Sequence, residues 1–195
     1  MRSLSPNLWF NDNAEEAANF YLRVFPESEL VSTGHYTEVG PGKDGAVVTK
    51  TLRIGGVDVT LINGGMDVEY TWAMSLLIPC EHQDEVDYFW AKLTDGGQEL
   101  QCGWLKDRYG VPWQVVPVQL EAMMLDPDRE KVNRMMAVML QQVNLIYRPL
   151  SAHSTAISDA AWAAFPERHH HAARVVGRYG GTERRRHPAG AGLVN

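Results

Sequence analysis

The sequence predicts an α+β fold built from two successive modules, each with the element order βαβββ. Three observations support this. Each half opens with a strand-like run followed by a helix of apolar spacing, and each helix is followed by further strand-like runs. The aromatic pair Phe20-Tyr21 of the first helix returns 69 residues later as Phe89-Trp90 in the second. The repeat places the first module at residues 1–66 and the second at 67–125.

The first module begins with a strand at 4–11. Asn13 is a good N-cap for the following helix, and Glu16 three residues later completes a capping-box pattern. Pro26 ends this helix, because proline cannot donate the backbone hydrogen bond that a helix requires. The loop GPGKDG and the tight Gly55-Gly56 turn separate the three strands predicted next, at 29–38, 46–54 and 57–63.

The second module repeats this order with a strand at 70–78 and a helix at 84–93, which Gly96-Gly97 closes. Strands at 99–105 and 111–116 complete it. A third helix is predicted at 126–145, with Asp126 as N-cap and Pro127 in the first helical position. Residues 146–195 are rich in Ala, Arg, Gly, His and Pro and lack periodicity, which predicts a disordered tail.

The charge distribution argues against nucleic acid as a partner. Residues 1–145 contain 11 Lys and Arg against 21 Asp and Glu, whereas binding to phosphates requires a basic face. No apolar run is long enough to serve as a signal peptide or membrane span. The two cysteines form no disulfide framework or metal motif. We therefore expect a cytoplasmic protein with reduced thiols, no membrane association and no nucleic-acid partner.

Several segments resemble one family. They are PNLWFNDNAEEAANFY (6–21), VFPESELVSTGHY (24–36), LRIGGVDVTLINGG (52–65), CEHQDEVDYFWAKLTDGG (80–97) and CGWLKDRYGVPWQVVP (102–117). In this order they resemble the vicinal oxygen chelate (glyoxalase/bleomycin-resistance) superfamily and its PhnB-like branch, labelled "3-demethylubiquinone-9 3-methyltransferase". The resemblance implies a concave, incomplete barrel-like sheet around a cleft, and a homodimer. The tail after residue 145 departs from the family, and a shifted reading frame is one hypothesis for its origin.

In metal-using members of this superfamily, four ligands line the cleft. By position they correspond to Pro6 or Asn7, to residues 60–62, to a residue near Ser75, and to Gln114. None of these is His, Asp, Glu or Cys, the side chains on which divalent transition-metal sites usually depend. We therefore predict no metal and no cofactor.

Strand alternation predicts which side chains face the cleft, because successive residues of a strand point to opposite faces. Leu8 and Phe10 form an apolar set that should meet the helix, and Trp113 and Val115 form another. The opposite faces provide most of the predicted ligand-binding residues. Ser75 is added because the resemblance places a cleft residue near it, and Trp104 is added as a nearby aromatic residue. The predicted set is Asn7, Trp9, Thr60, Ile62, Ser75, Trp104, Gln114 and Val116.

Three functions remain open. An aromatic, amide-rich cleft suits the binding of a small organic ligand. A metal-independent enzyme could use the thiols of Cys80 and Cys102, the imidazole of His35, or the phenols of Tyr36 and Tyr109. A third possibility is a mainly structural dimerisation unit. Methyl transfer is not expected, because the GPGKDG loop is followed by a strand and not by a phosphate-binding helix.

Overall fold

The computed structural model describes residues 4–146. The first module comprises strand β1 (Asn7–Phe10), helix α1 (Ala14–Val24) and strands β2 (Glu29–His35), β3 (Val47–Ile54) and β4 (Val57–Asn63). The predicted order βαβββ is thus confirmed for this module. The tail predicted at 146–195 lies, apart from its first residue, outside the described residues.

The second module has the same order of elements. It comprises strand β5 (Leu76–Cys80), helix α2 (Gln83–Thr94) and strands β6 (Gln98–Glu99), β7 (Trp104–Lys106) and β8 (Pro112–Pro117). Helices α3 (Gln119–Met124) and α4 (Arg129–Met139) follow it. None of the helices in the described part of the chain is long and apolar enough to cross a membrane.

Each module forms its own open, four-stranded sheet, and the two sheets share one topology. The strand orders are β1-β4-β3-β2 and β5-β8-β7-β6. The helix of each module carries the chain to the opposite edge of the sheet, and the three strands that follow lead back, so that the last strand pairs in parallel with the first. The remaining pairs are antiparallel. The α+β prediction with two related modules is therefore confirmed.

Helices α1 and α2 and the inner faces of both sheets bury one apolar core, and α3 and α4 contribute to a smaller second cluster. Tyr21 of α1 packs against Trp113 of β8, with ring centroids 5.7 Å apart. Phe25, which follows α1, packs against Phe89 of α2 at 5.3 Å. These contacts cross from one module to the other, so burial of aromatic surface holds the modules together. The faces of the sheets that point away from this core are left at the surface.

The start of α1 differs from the sequence prediction. Asn13 occupies the N-cap position, but its side chain makes no capping hydrogen bond. The side-chain oxygen of Asn63, at the end of β4, instead accepts a hydrogen bond of 2.8 Å from the backbone N–H of Ala14. A residue 49 positions away therefore satisfies the free donor, which a local capping pattern could not indicate.

Two predicted strands of the second module are also corrected. The strand expected at 70–78 begins only at Leu76, because the hydroxyl of Thr71 accepts a hydrogen bond from the N–H of Ala73 in a local turn. The strand expected at 99–105 is divided into β6 and β7. Cys102 and Gly103 both have positive φ angles, 61° and 76°, which interrupt extended backbone.

The last helix begins later than its sequence pattern predicts. Asp128 is the N-cap, and its carboxylate accepts hydrogen bonds from the N–H groups of Glu130 and Lys131 at 3.0 and 3.3 Å. Asp126 instead accepts a hydrogen bond from the N–H of Asp128. The DPD sequence offers two aspartates that could cap a helix, and local geometry selects the second.

Candidate functional site

The outer face of each sheet is the side that points away from the helices. In β1, Leu8 and Phe10 are 2% and 4% exposed, whereas Asn7 and Trp9 are exposed. In β8, Trp113 and Val115 are buried and alternate with the half-buried Gln114 and Val116. The predicted division of these strands into core-facing and outward-facing residues is confirmed.

The first module places four of the predicted residues side by side on its outer face. Asn7 lies opposite Thr60 across the β1–β4 pair, and Trp9 lies opposite Ile62. The Thr60 hydroxyl hydrogen-bonds to that of Thr51 at 3.1 Å. This half of the site offers amide and hydroxyl groups beside one indole, and we call it the first half-site.

The indole of Trp9 is held in a fixed place. Its N–H donates a hydrogen bond of 3.0 Å to the backbone oxygen of Met66. Its ring lies against Gly64, where any side chain would collide with it. Gly64 therefore makes room for the ring.

The second module places Gln114 at the centre of its outer face, on β8 between β5 and β7. The side-chain N–H of Gln114 donates to the hydroxyl of Ser75 at 2.8 Å. Trp104 lies opposite Gln114 across the β7–β8 pair, and Val116 follows two residues later on the same face. These four predicted residues form the second half-site.

The second half-site also contains two groups that were not among the predicted residues. The Lys106 ammonium lies 4.9 Å from the ring centroid of Trp72 and donates a hydrogen bond of 2.6 Å to the backbone oxygen of Tyr70. Trp72 in turn packs edge-on against Trp104, at 6.3 Å between centroids. Alternation along β7 could have revealed Lys106, because it lies two residues from Trp104 and thus on the same face.

The two half-sites remain separate in a single chain. Within residues 4–146, no hydrogen bond or ring contact joins the two predicted groups of four directly. They are linked through the connecting segment: the Tyr70 hydroxyl donates to the backbone oxygen of Trp9 at 2.7 Å, and the Tyr70 carbonyl accepts from Lys106. Burial raises the pKa of Tyr70 to about 12, so this hydroxyl keeps its proton as a donor.

Two small cavities flank the connecting segment. One of about 170 Å³ includes Ser75 in its wall, and one of about 280 Å³ includes Trp9. The other six predicted residues line neither cavity. Pockets for organic ligands usually enclose roughly 300–1,000 Å³. Neither of these two cavities reaches that size.

The donor chemistry of the site does not fit the metal that the superfamily implies. Asn7 uses its amide N–H to bond the Ser5 carbonyl, and Gln114 and Ser75 bond each other. Within the described part of the chain, no group of three or more His, Cys, Asp or Glu side chains is arranged to hold a metal ion. Neutral amides and hydroxyls are weak ligands for divalent transition metals.

Among the described residues, no hydrogen bond joins any two of the groups considered for a metal-independent enzyme. Cys80 is fully buried in the core, whereas His35 is exposed at the end of β2. Burial raises the pKa of the Cys80 thiol to about 12 and also raises that of Cys102. The Tyr36 hydroxyl donates to the Asn63 carbonyl at 2.6 Å. The Tyr109 hydroxyl donates to a carboxylate oxygen of Glu16 at 3.0 Å.

Asp107 follows Lys106 in the sequence and is buried in the core. Only 3% of it is exposed, and its carboxylate accepts hydrogen bonds from Tyr21 Oη at 2.7 Å and Trp113 Nε1 at 2.8 Å. The N–H groups of Tyr109 and Val111 complete its partners. Burial raises the pKa of Asp107, and these four donors offset part of the rise. Asp107 thus joins α1 of one module to β8 of the other.

Comparison with known proteins agrees with this architecture. The family described as 3-demethylubiquinone-9 3-methyltransferase matches residues 2–116. A solved structure, the putative 3-demethylubiquinone-9 3-methyltransferase, PhnB protein, from Bacillus cereus, is 37% identical over 60% of this chain and 99% of its own, with a TM-score of 0.53. No curated protein matches the sequence significantly.

More distant structures share less of the sequence. Protein PA1353 from Pseudomonas aeruginosa is 19% identical over 59% of this chain and 96% of its own, with a TM-score of 0.50. The fosfomycin resistance protein FosX from Listeria monocytogenes is 17% identical over 59% of this chain and 90% of its own, with a TM-score of 0.40. From the match over residues 2–116 and the paired βαβββ modules, the chain belongs to the 3-demethylubiquinone-9 3-methyltransferase (PhnB-like) family of the vicinal oxygen chelate superfamily.

Proposed function

We propose that this chain binds a small organic ligand on the outer faces of its two sheets and does so without a divalent metal. The observation that carries the proposal is the Gln114–Ser75 hydrogen bond of 2.8 Å. By resemblance to metal-using members of the superfamily, one metal ligand would fall on Gln114 and another near Ser75. These side chains bond each other beside the indole of Trp104. Such a surface suits a planar guest held by stacking and a few polar anchors.

A second copy of the chain completes the site in this proposal. The half-sites are open surfaces, and the hydrophobic side chains of Leu77 and Met74 near the second half-site are 55% and 62% exposed. Covering these surfaces with the corresponding surface of a partner would remove apolar area from water and enclose the ligand. Light scattering of the full chain at micromolar concentration tests this: a dimer is expected, and a monomer with or without ligand contradicts it.

A thermal-shift screen on the full chain tests the main proposal. A ligand that binds only the folded state raises Tm. We expect planar aromatic compounds to raise Tm, and Zn²⁺, Ni²⁺, Mn²⁺ and Fe²⁺ to leave it unchanged. Trp104→Ala should abolish the effect of the compounds. The matched control Trp90→Phe changes a buried tryptophan of α2 outside the proposed site and should not. Stabilisation by a metal alone would contradict the proposal.

The family name includes a methyltransferase activity, which we do not propose for this chain. The GPGKDG stretch lies in the loop between β2 and β3, so no helix N-terminus stands behind it to bind a phosphate or nucleotide. Calorimetry with S-adenosylmethionine should detect no binding. Tight binding would return methyl transfer to consideration.

A further inference from the structure

The second half-site contains a cation whose charge no described residue neutralises. Lys106 forms no ion pair with any carboxylate in residues 4–146; its near partners are the Tyr70 carbonyl and the ring of Trp72. Glu69, on the connecting segment, is not within ion-pairing distance. An ammonium has three donors, and one hydrogen bond with one ring contact leaves capacity for a further partner.

The first half-site provides the contrast. Its outer-face cation, Arg53 on β3, is neutralised by two carboxylates, Glu29 at 2.8 Å and Asp58 at 2.9 Å. Asp58 lies directly opposite Arg53 across the β3–β4 pair. The outer face of each sheet therefore carries one of these cations, Arg53 on β3 and Lys106 on β7. Of these two, only Arg53 is paired with carboxylates among the described residues.

The surroundings of Lys106 are aromatic. The Lys106 ammonium lies over the ring of Trp72, and that ring meets the ring of Trp104 at an interplanar angle of 70°. Neither indole N–H donates to another described residue, which leaves both N–H groups able to bond a ligand. Trp72, Trp104 and Lys106 are called here the indole–lysine cluster.

We propose that the indole–lysine cluster is the anchor for an organic anion, a planar ring that carries a carboxylate or a similar acidic group. The ring stacks on the indoles while Lys106 bonds the anionic oxygen, and the Gln114 amide on the neighbouring strand β8 is a neutral group of the same face. This inference rests on the proposed function and adds the charge of the ligand to it. The site predicted from the sequence contains no charged side chain, whereas the site proposed here includes the ammonium of Lys106.

A matched pair of probes tests the charge preference. 2-Naphthoate and 2-naphthamide have the same ring, but only the first is an anion. Binding to the full chain is followed by the NMR signals of the tryptophan indole N–H groups, assigned through single Trp→Phe variants. We expect naphthoate to bind at least about tenfold more tightly than naphthamide, the difference that one charge-assisted hydrogen bond makes. The largest shifts should belong to Trp72 and Trp104.

Variants of the cluster separate anchoring from a structural role. Lys106→Met should remove the preference for naphthoate while leaving the affinity for naphthamide unchanged, and Lys106→Arg should retain the preference. Lys92→Met is the matched control, because Lys92 is also a lysine above an aromatic ring, 5.9 Å from the centroid of Tyr88, but on α2. It should behave as the unmodified chain does. If Lys106 only holds the connecting segment, Lys106→Met will weaken both probes equally.

Each result of the probe and variant experiments supports or overturns the anion anchor. Equal affinity for the two probes, or a preference that survives in Lys106→Met, would overturn the anion anchor. If naphthamide still shifts the indole signals in that case, ring binding and the proposed function stand without it. If neither probe shifts them, the anchor is refuted, and the thermal-shift screen decides the proposed function independently.

Discussion

Lys106 and Asp107 are consecutive residues with opposite environments. Asp107 lies in the core between the modules, where four donors satisfy its carboxylate. Lys106 lies on the outer face, where its ammonium has a carbonyl and an aromatic ring but no carboxylate among the described residues. A buried carboxyl group whose four hydrogen-bond donors come from its own chain links the two modules, whereas the half-buried ammonium, with no carboxylate partner among the described residues, is the basis of the proposed anion anchor.

The largest test of this comparison removes the paired charge. Asp107→Ala would leave Tyr21 Oη and Trp113 Nε1 without an acceptor inside the core, at about 1–3 kcal/mol for each buried donor. We expect the free energy of unfolding to fall by about 3 kcal/mol or more, as measured by urea denaturation. The control Asp95→Ala removes an exposed aspartate paired with Arg108 and should change it by less than about 0.5 kcal/mol. Equal effects of the two changes would refute the structural role of Asp107.

A smaller effect is expected when only one donor is removed. Tyr21→Phe deletes the hydroxyl that crosses between the modules but keeps the ring and three of the four bonds to Asp107. The expected loss is about 1–2 kcal/mol in the free energy of unfolding. Tyr109→Phe, which deletes a hydroxyl bonded to the exposed Glu16, is the matched control and should lose less. The reverse order would show that the link between modules lies elsewhere.

The pH dependence of stability sharpens the same point. Burial raises the pKa of Asp107 above its ordinary value of 3.8, so the folded state retains a proton that the unfolded chain releases first. The stability linked to this proton is complete below pH 3.8 and is lost as the pH rises through the folded-state pKa. As the pH rises through the folded-state pKa, the unmodified chain should therefore lose free energy of unfolding relative to Asp107→Asn. Denaturation curves at a series of pH values measure this difference, and a gain of stability by the unmodified chain over the same pH range would contradict a raised pKa of Asp107.

The smallest effect is expected on the outer face. Gln114→Glu introduces a carboxylate at one position used as a metal ligand in the superfamily, but Asn7, Thr60 and Ser75 remain poor ligands. We expect no rise of Tm with Ni²⁺ or Zn²⁺, measured by thermal shift against Gln114→Ala. A metal-dependent rise confined to the glutamate variant would show that one substitution restores the site.

Much of the fold was predictable because its signals are local. The i, i+3, i+4 spacing predicted α1 and α2, and strict alternation predicted that Leu8 and Phe10 would be buried beside the exposed Asn7 and Trp9. Errors occurred where a distant residue competes with a local pattern. Asn63 replaces Asn13 at the start of α1, and the positive φ of Cys102 divides a predicted strand.

The sequence alone determined the two-module order and the faces of the strands, since both depend on spacing along the chain, and its motifs carried the resemblance to the family. The tertiary structure decided which charges are neutralised. The run WLKDRYG does not indicate which of its charged side chains is buried. Only the tertiary structure brings the hydroxyl of Tyr21, in α1, to the carboxylate of Asp107, beside the indole N–H of Trp113. The physical reason is that desolvation and hydrogen bonding depend on neighbours in space, and those neighbours lie up to 86 residues away.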